Sequence, residues 1–195
     1  MEIPQIRDAN SRELAKVLDT VTLAFAADPL MRWFYPGSDA YLNDFRRLIE
    51  AYCGTSVDQG ATFVADDLGG AALWMPPGLE VDEDKLGAIV EDSIRPEIQD
   101  EFMALMAEMD RYHPHDYPCW YLAVIGVDGY HQGKGLGSLL LKHTTRMLDE
   151  SGTPAYLESS NPANISLYQR HGFEIMGEIR IGSAPLVTPM LRQPQ

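Results

Sequence analysis

The chain has 195 residues, a formal net charge of −14 at pH 7 and 45% hydrophobic residues. This length and composition predict one globular domain and exclude a disordered chain. The negative charge argues against nucleic acid or an anionic membrane as a partner, because both require clustered Lys and Arg, and it is compatible with cationic substrates. Because the sequence has neither an apolar stretch of ~18 residues nor a leader pattern, we expect a soluble, cytoplasmic protein.

Neither the cysteines nor the histidines predict a metal site. Cys53 and Cys119 are far apart and lack C-x-x-C or Cys/His zinc spacing, so both are interpreted as reduced thiols in the core. His113, His115 and Asp116 form an H-P-H-D run, but two histidines around a proline do not share a helix face. We therefore expect no bound metal.

The N-terminal part of the sequence predicts a short strand, two helical regions and a β-hairpin. The strand is predicted over residues 3–7, and apolar residues at helical spacing predict a helix from Ser11 that stops at Pro29. A second helical region is predicted over residues 41–57. Two short apolar runs around a turn at residues 66–70 predict the hairpin.

A helical segment and a buried strand are predicted after the hairpin. Residues 79–118 are acidic and helical, and an apolar stripe within them is interpreted as core rather than as part of a cofactor site. The stripe consists of Phe102, Leu105, Met106 and Met109. The stretch from Trp120 to Val127 is nearly all apolar and rich in aromatic and β-branched residues, which predicts a central strand.

A glycine-rich loop connects this strand to a helix. The stretch "DGYHQGKGLGSLLL", residues 128–141, has three glycines and a lysine within five residues, followed by a leucine-rich run at helical spacing. Glycines expose backbone N–H groups, and a helix N-terminus adds the positive end of its dipole, so the loop predicts an anion site. Its spacing fits neither the G-x-x-x-x-G-K-[ST] loop nor the G-x-G-x-x-G dinucleotide loop.

The C-terminal part predicts another strand, a helix and a strand pair. The strand covers residues 154–158, and the helix "NPANISLYQRHG" begins at the cap residue Asn161 and ends at Gly172. The strand pair covers residues 173–180 and 185–191. This order of elements predicts an α/β (α+β) fold with a mixed central sheet flanked by helices, in which a parallel pair opens a cleft at its ends.

Two segments resemble the GNAT (GCN5-related) N-acetyltransferase family. Residues 132–137, "QGKGLG", match the family's [QR]-x-x-G-x-G pyrophosphate loop, and "NPANISLYQRHGF" is similar to its Asn-x-x-x-Tyr-x-x-x-Gly-Phe segment. The resemblance is strongest from Trp120 to Glu174. It implies the GNAT acyl-CoA N-acyltransferase fold, as one domain over residues 1–195 with a helical insertion at about residues 79–118, and acetyl-CoA as the cosubstrate.

The resemblance also implies roles for particular residues. The end of the central strand would pair with the pantetheine arm and approach the thioester carbonyl, while the loop would hold the pyrophosphate. Asn164 would contact the pantetheine, and Tyr168, one helical turn later, would protonate the leaving thiolate, although a tyrosine on such a helix also suits a purely structural place in the core. The implied cofactor-binding residues are Ile125, Gly126, Val127, Gln132, Gly133, Lys134, Gly135, Leu136, Gly137, Ser138, Asn164 and Tyr168.

The sequence does not single out the general base that an amine acceptor requires. Glu158 ends the strand before the Asn161 helix, where its carboxylate could face the cleft and serve in catalysis; a solvated or structural carboxylate is the alternative. His131, beside the loop, could contact phosphate or be exposed. Asp66 and Asp67 are expected to serve the hairpin turn.

The aromatic residues Trp33, Phe34 and Tyr35 are candidates for lining an acceptor pocket, with packing in the core as the alternative. We expect transfer of an acetyl group from acetyl-CoA to the primary amine of an antibiotic- or metabolite-like small molecule, by a monomer or homodimer. Stretches such as "FVADD" and "WMPPG" look like puromycin N-acetyltransferase-like members of the family. The alternatives are acetylation of a protein N-terminus or lysine, and a catalytically silent acyl-CoA-binding module that regulates a partner.

Overall fold

The computed structural model describes residues 4–65 and 67–195, and a seven-stranded sheet lies at its centre. The strands are β1 Ile6–Asp8, β2 Thr62–Ala65, β3 Gly70–Met75, β4 Trp120–Val127, β5 Ala155–Ser159, β6 Glu174–Ile175 and β7 Thr188–Arg192. Their order is β1-β2-β3-β4-β5-β7-β6, and neighbours are antiparallel except for β4 and β5, which are parallel. The predicted α/β (α+β) class with a mixed central sheet is confirmed.

Helices cover both faces of this sheet. They are α1 Leu14–Ala24, α2 Pro29–Phe34, α3 Ser38–Ala40, α4 Arg46–Cys53, α5 Glu83–Ser93, α6 Gln99–Tyr112, α7 Leu136–Ser151 and α8 Ile165–Arg170. Side chains alternate along β3, so that Ala71 and Leu73 share a core with α1, α2, α4 and α6, whereas Ala72 and Trp74 share a core with α7 and α8. In the described part of the chain, no helix has the length and apolar character needed to cross a membrane.

The other elements predicted for the N-terminal part are present. The first strand is β1, although its predicted start at Ile3 lies outside the described residues. A π-helical turn, α4 and a 3-10 turn together form the predicted helical region over residues 41–57. Cys53 and Cys119 are free and buried, and burial raises the pKa of each thiol to about 12.

The sequence predicts that a helix stops at Pro29, but in the structure α1 already ends at Ala24, and Pro29 begins α2. The Asp28 Oδ1 atom accepts hydrogen bonds from the N–H groups of Leu30 and Met31, at 3.0 and 3.1 Å, and Pro29 is in the first turn of α2. An Asp-Pro pair suits a helix start as well as a stop, because the carboxylate caps free amides and proline fixes its own φ angle.

The predicted C-terminal strand pair is only partly formed. The strand β6 has two residues, one bridge joins Ile179 to Val187, and β7 lies between β5 and β6. After Ile175 the chain passes close to the end of α6, where a Cβ on Gly177 would clash with the Tyr112 hydroxyl. The segment therefore combines a contact with α6 at Gly177 with isolated pairing at Met176 and Ile179.

The central parallel pair separates soon after it begins. The strand β4 pairs with β3 between Tyr121 and Val127, but pairs with β5 only at Trp120 with Ala155 and at Tyr121 with Tyr156. A register shift in the β3–β4 ladder leaves Ala123 without a partner on β3, and such a bulge bends a strand. Beyond Tyr121 the two strands diverge, and a cleft opens between them.

A buried ion pair fixes the last strand against α7. Arg192 of β7 is 3% exposed, and its Nη1 and Nη2 atoms donate to the two carboxylate oxygens of Asp149 at 2.7 and 2.8 Å. The Arg192 Nε atom also donates to the His171 carbonyl, at 2.8 Å. This bidentate pair supplies hydrogen-bond acceptors to a guanidinium that is shielded from water. It thereby joins β7 to α7, the helix that follows the glycine loop.

Replacement of Asp149 tests the contribution of this pair to stability. Asp149→Ala leaves the buried guanidinium without its counter-charge, so we expect the free energy of unfolding to fall by about 3 kcal/mol. Glu150→Ala is the matched control, because Glu150 pairs with Arg146 in a contact whose side chains are 66% and 78% exposed, and its loss should be below about 0.5 kcal/mol. Urea denaturation measures both values, and equal losses would contradict the assignment.

Candidate active site

Two cavities meet beside the carboxyl end of β4. The first, the loop cleft, has a volume of about 580 Å³ and lies between the turn after α1, the end of β4, the glycine loop and α8; it includes Asp28, Gly126, Gly135 and Ser138. The second, the apolar cavity, has a volume of about 420 Å³ and lies among α2, α4, α5 and α6; it includes Phe34, Leu48, Val90 and Met106. Both are lined by Phe25, Ile125, Asn164 and Tyr168. The cavities are therefore two arms of one site.

The glycine loop presents free backbone N–H groups to the loop cleft. Gly133 and Gly135 have φ angles of +74° and +83°, and Gly135 is the N-terminal cap of α7. Among the described backbone hydrogen bonds outside helices and strands, none is donated by the N–H groups of residues 132–138. The Gln132 side chain donates to the Val127 carbonyl at 3.0 Å and ties the loop to β4. Free amides and the positive end of the α7 dipole thus converge on the cleft, an arrangement that binds phosphate groups.

The structure brings the predicted loop residues to the cleft, with the exception of the Lys134 side chain. Those that line it are Gln132, Gly133, Gly135, Leu136, Gly137 and Ser138. The Ser138 hydroxyl lies 2.7 Å from His171 Nε2. The Lys134 ammonium donates to the Tyr130 carbonyl at 3.0 Å and lies over the Tyr130 ring, so its charge is held on the outer side of the loop.

The end of β4 forms the floor between the two arms. Ile125 lines both arms, and Gly126 and Val127 line the loop cleft. Because β5 has already diverged, the described strands leave this stretch of β4 without a partner on the cleft side. Glycine is required at position 126, since a Cβ there would lie 2.7 Å from the Ala24 Cβ, and its absence lets α1 pack directly on the strand.

Asn164 and Tyr168 stand together at the junction of the arms, as their spacing predicts. Asn161 accepts a hydrogen bond from the Ala163 N–H at 3.0 Å and so starts the helical turn that leads through Asn164 into α8. Tyr168 is 7% exposed and lines both arms. Burial, with a smaller contribution from the Asp28 carboxylate, raises the pKa of the Tyr168 hydroxyl, which keeps it protonated at neutral pH.

Glu158, at the end of β5, lies in the apolar cavity. Burial raises the pKa of its carboxyl to about 7, while the nearby Tyr121 and Tyr156 hydroxyls act in the opposite direction. Its Oε2 atom is buried and has no hydrogen-bond partner among the described residues. A shielded carboxyl with a pKa near neutrality can both take up and release a proton under physiological conditions, which is the property of a general base.

Apolar side chains form most of the second arm, and the sequence reasoning identified few of them. Phe34 is the member of the predicted aromatic cluster that lines the cavity. Tyr35 is instead buried in the core with its hydroxyl 3.0 Å from Ser93 Oγ, and Trp33 donates to Ser183 Oγ at 3.1 Å. The stripe interpreted as core has two roles: Leu105 is fully buried, whereas Phe102, Met106 and Met109 also line the cavity.

The remaining candidate residues have structural contacts. His131 lines the loop cleft, but its ring nitrogens lie 3.3 Å from Asp128 and 3.4 Å from Asp67. The Asp67 carboxylate also accepts the Gly69 N–H at 2.9 Å, in keeping with its predicted place in the hairpin turn, whereas Asp66 lies outside the described residues. Among the described residues, no group of three His, Cys, Asp or Glu side chains could hold a metal ion.

Two further residues of the site carry no sequence signal of their own. Asp28 is 7% exposed and accepts a hydrogen bond from the Ser160 hydroxyl at 2.6 Å. Asp28 lines the loop cleft and Ser160 lines the apolar cavity, so this bond joins the two halves of the chain at the boundary between the arms. Arg170 also lines the loop cleft and adds a positive charge beside the loop amides. Both positions become recognisable only when α8 is placed against the turn after α1.

Comparisons with known proteins agree with this geometry. The model of the Acetyltransferase (GNAT) family matches residues 80–173. The chain is 25% identical to the Uncharacterized N-acetyltransferase C550.08 of Schizosaccharomyces pombe over 203 residues, which cover 95% of this chain and 81% of the yeast protein.

Solved structures share the fold over the whole chain. A histone acetyltransferase HPA2 and related acetyltransferase from Corynebacterium glutamicum superposes with a TM-score of 0.69 at 25% identity, covering 100% of this chain and 98% of the other. Arylalkylamine N-acetyltransferase 2 from Aedes aegypti gives a TM-score of 0.68 at 12% identity, with 100% of both chains covered. Other neighbours, with TM-scores of 0.67 and 0.66, are a polyamine and an agmatine N-acetyltransferase.

The expected GNAT fold is thus confirmed by the seven-stranded mixed sheet and by these neighbours. The match of residues 80–173 to the GNAT family model and the likeness to the yeast N-acetyltransferase support an acyltransferase enzyme.

Proposed function

We propose that the protein transfers the acetyl group of acetyl-CoA to the primary amine of a small molecule. The observation that carries this proposal is the meeting of the two arms at Asn164 and Tyr168, because direct transfer requires two ligands to touch at one point. One arm has free loop amides that suit a diphosphate, and the other has a buried carboxyl that suits proton transfer from an amine.

Three features of the loop cleft suit acetyl-CoA. The amides of residues 133–138 and the N-terminus of α7 would bind the pyrophosphate, with Arg170 nearby. The unpaired side of β4 from Ile125 to Val127 would pair with the amide groups of the pantetheine arm, as an added strand does. The Asn164 side chain, at the junction, would contact the same arm close to the thioester. When bound, the cosubstrate supplies the activated acetyl group, and the protein supplies its position.

The residues at the junction suit a direct attack by a neutral amine on the thioester carbonyl. Glu158 would accept the proton that the amine loses, and the N–H group of Gly126 or Val127 would stabilise the oxyanion. Tyr168 would donate its hydroxyl proton to the departing thiolate. Burial brings the Glu158 carboxyl near the pKa at which a base is effective, and the Tyr168 hydroxyl holds its proton until charge develops on the sulfur.

The alternatives receive less support from this geometry. A catalytically silent acyl-CoA-binding module would need no general base. Glu158 has the burial and the pKa of such a base, which counts against a silent module. Acetylation of a protein N-terminus or lysine requires an open groove, whereas α5 and α6 bound the apolar cavity on one side. Four expectations from the sequence stay predictions. They are the likeness to puromycin N-acetyltransferase-like members, the single domain over residues 1–195, the monomeric or dimeric state and the cytoplasmic location.

Substitution of Glu158 tests its role as the base. For the wild type, kcat/KM should fall as the pH decreases through about 7, because the carboxylate becomes protonated. In Glu158→Gln this inflection should disappear, and kcat/KM at pH 8 should fall by about 100-fold. The pH dependence of kcat/KM that comes from deprotonation of the amine substrate should remain. A pH–rate profile with unchanged inflection in the variant would exclude Glu158.

The folding control for this variant follows from the same pKa. Because the pKa of Glu158 is higher in the folded protein than its ordinary value, the stabilisation by the protonated carboxyl is present at low pH and is lost as the pH rises through about 7. At pH 8 the wild type holds a buried carboxylate, so Glu158→Gln should melt at the same or a higher temperature.

Tyr168→Phe removes only the hydroxyl proposed to protonate the thiolate. We expect kcat to fall by about 100-fold with an unchanged Kd for acetyl-CoA, because the ring still packs. Tyr117→Phe is the control, since Tyr117 is 40% exposed and lies outside both arms. Steady-state kinetics and calorimetry separate the two effects, and full activity of Tyr168→Phe would refute the assignment.

The two ends of α7 provide a matched test of the loop. Gly135 and Gly152 flank the helix with φ angles of +83° and +66°, and a Cβ at either position meets open space. Alanine at either should cost about 1–2 kcal/mol of stability, because both backbones are left-handed. Only Gly135→Ala should also raise the KM for acetyl-CoA, by about tenfold or more. An equal change in KM for Gly152→Ala would show that the loop is not the binding site.

A further inference from the structure

We infer that the acceptor is an amine with a single positive charge and a sizeable apolar group, as arylalkylamines and longer alkylamines are. This inference rests on the proposed function and names the substrate class of the apolar cavity. It excludes polyamines and other amines with two or more separated charges.

The walls of the apolar cavity are suited to an apolar group. They carry rings and flexible thioethers from α2, α6 and the segment after α1: Phe25, Met31, Phe34, Phe102, Met106 and Met109. Aromatic rings offer large apolar faces, and methionines adapt their shape to the group that they contact. The cavity volume of about 420 Å³ lies in the range of small-molecule sites. Met103, which is 62% exposed, extends this apolar surface to the rim.

The charges in the cavity suit one ammonium group. Among its described lining residues there is no Asp, Lys, Arg or His, and the acids are Glu158 and Glu83. Glu158 is shielded from water and lies in the same arm as the junction residues Asn164 and Tyr168, where the reacting nitrogen must stand. Tyr52 and Tyr121 add neutral hydroxyls, and burial raises the pKa of both still further.

A second ammonium group would meet no suitable partner. With its reacting nitrogen at the junction, a diamine would extend its other charge along the phenylalanine and methionine walls, where an unpaired charge is strongly disfavoured. Glu83, the first residue of α5, is exposed, so that water and salt would weaken its attraction for a distal charge. The cavity should therefore bind amines more tightly as their apolar chain lengthens, and bind amines with a second charge more weakly.

A matched pair of amines tests this inference on the full chain. Heptylamine and 1,6-diaminohexane have the same length and differ in one terminal group, methyl in the first and ammonium in the second. With acetyl-CoA and a thiol-release assay, we expect kcat/KM to be at least 100-fold higher for heptylamine. From butylamine to heptylamine, kcat/KM should rise by about fourfold per methylene, and phenethylamine and tryptamine should also be good acceptors.

A change of charge in the wall provides the complementary variant. Met106→Glu should lower kcat/KM for heptylamine by at least tenfold and raise it for 1,6-diaminohexane, because it supplies the missing counter-charge. Met176→Glu is the matched control, since Met176 is 41% exposed and outside both arms, and it should leave both values unchanged. Circular dichroism checks folding, and the wild-type series decides the question if Met106→Glu does not fold.

The outcomes separate the inference from the proposed function. A preference for 1,6-diaminohexane, or a rate independent of chain length, would overturn the inference and leave amine acetylation in place. Acetylation of a lysine peptide in preference to every free amine would overturn the inference as well. If no amine in the series causes thiol release, although the protein is folded and binds acetyl-CoA, the proposed function is refuted and the inference with it.

Discussion

The site depends on the separation of two parallel strands, β4 and β5. They share two pairs of residues and then diverge, so that the polar backbone of β4 from Ile125 to Val127 is left without a strand on one side. A buried backbone normally finds a partner; the Gln132 side chain bonds the Val127 carbonyl, and the proposed cosubstrate would pair with the remaining groups. The bulge at Ala123 contributes by bending β4 where the gap begins. Both arms of the site are consequences of this one irregularity.

The same strand also fixes the elements around the gap. Gly126 lets α1 lie directly on β4, which brings Phe25 and Asp28 to the junction. The strand then runs into the glycine loop, so the amides that face the loop cleft lie one short turn from the free edge. On the other side, the bond between Asp28 and Ser160 closes the boundary between the arms. Ligand contacts, helix packing and loop position are therefore linked through a few residues.

The acceptor arm combines an apolar environment with an ionisable group. Burial of Glu158 among apolar and aromatic side chains disfavours its charged form and raises its pKa to about 7. This shift weakens the fold at alkaline pH, since a carboxylate must remain in a shielded place. The same shift makes the carboxyl a better match for proton transfer near neutral pH. The burial that destabilises the Glu158 carboxylate is thus also what suits this carboxyl to act as the proposed base.

The sequence by itself determined the elements and their order, the glycine loop before α7, the Asn164–Tyr168 pair and the position of Glu158 at a strand end. These features depend on local rules of backbone conformation, periodicity and capping, which neighbouring residues express. It did not reveal α2, which Asp28 and Pro29 begin after α1 has ended at Ala24, or the interrupted pairing after Ile175. Only the tertiary structure decided that Phe34 lines the cavity while Trp33 and Tyr35 do not, that the Lys134 charge lies outside the cleft, and that Asp28 meets Ser160. Those outcomes depend on contacts between distant segments and on burial, because the pKa of a carboxyl and the face that a side chain presents are properties of its surroundings and not of its position in the chain.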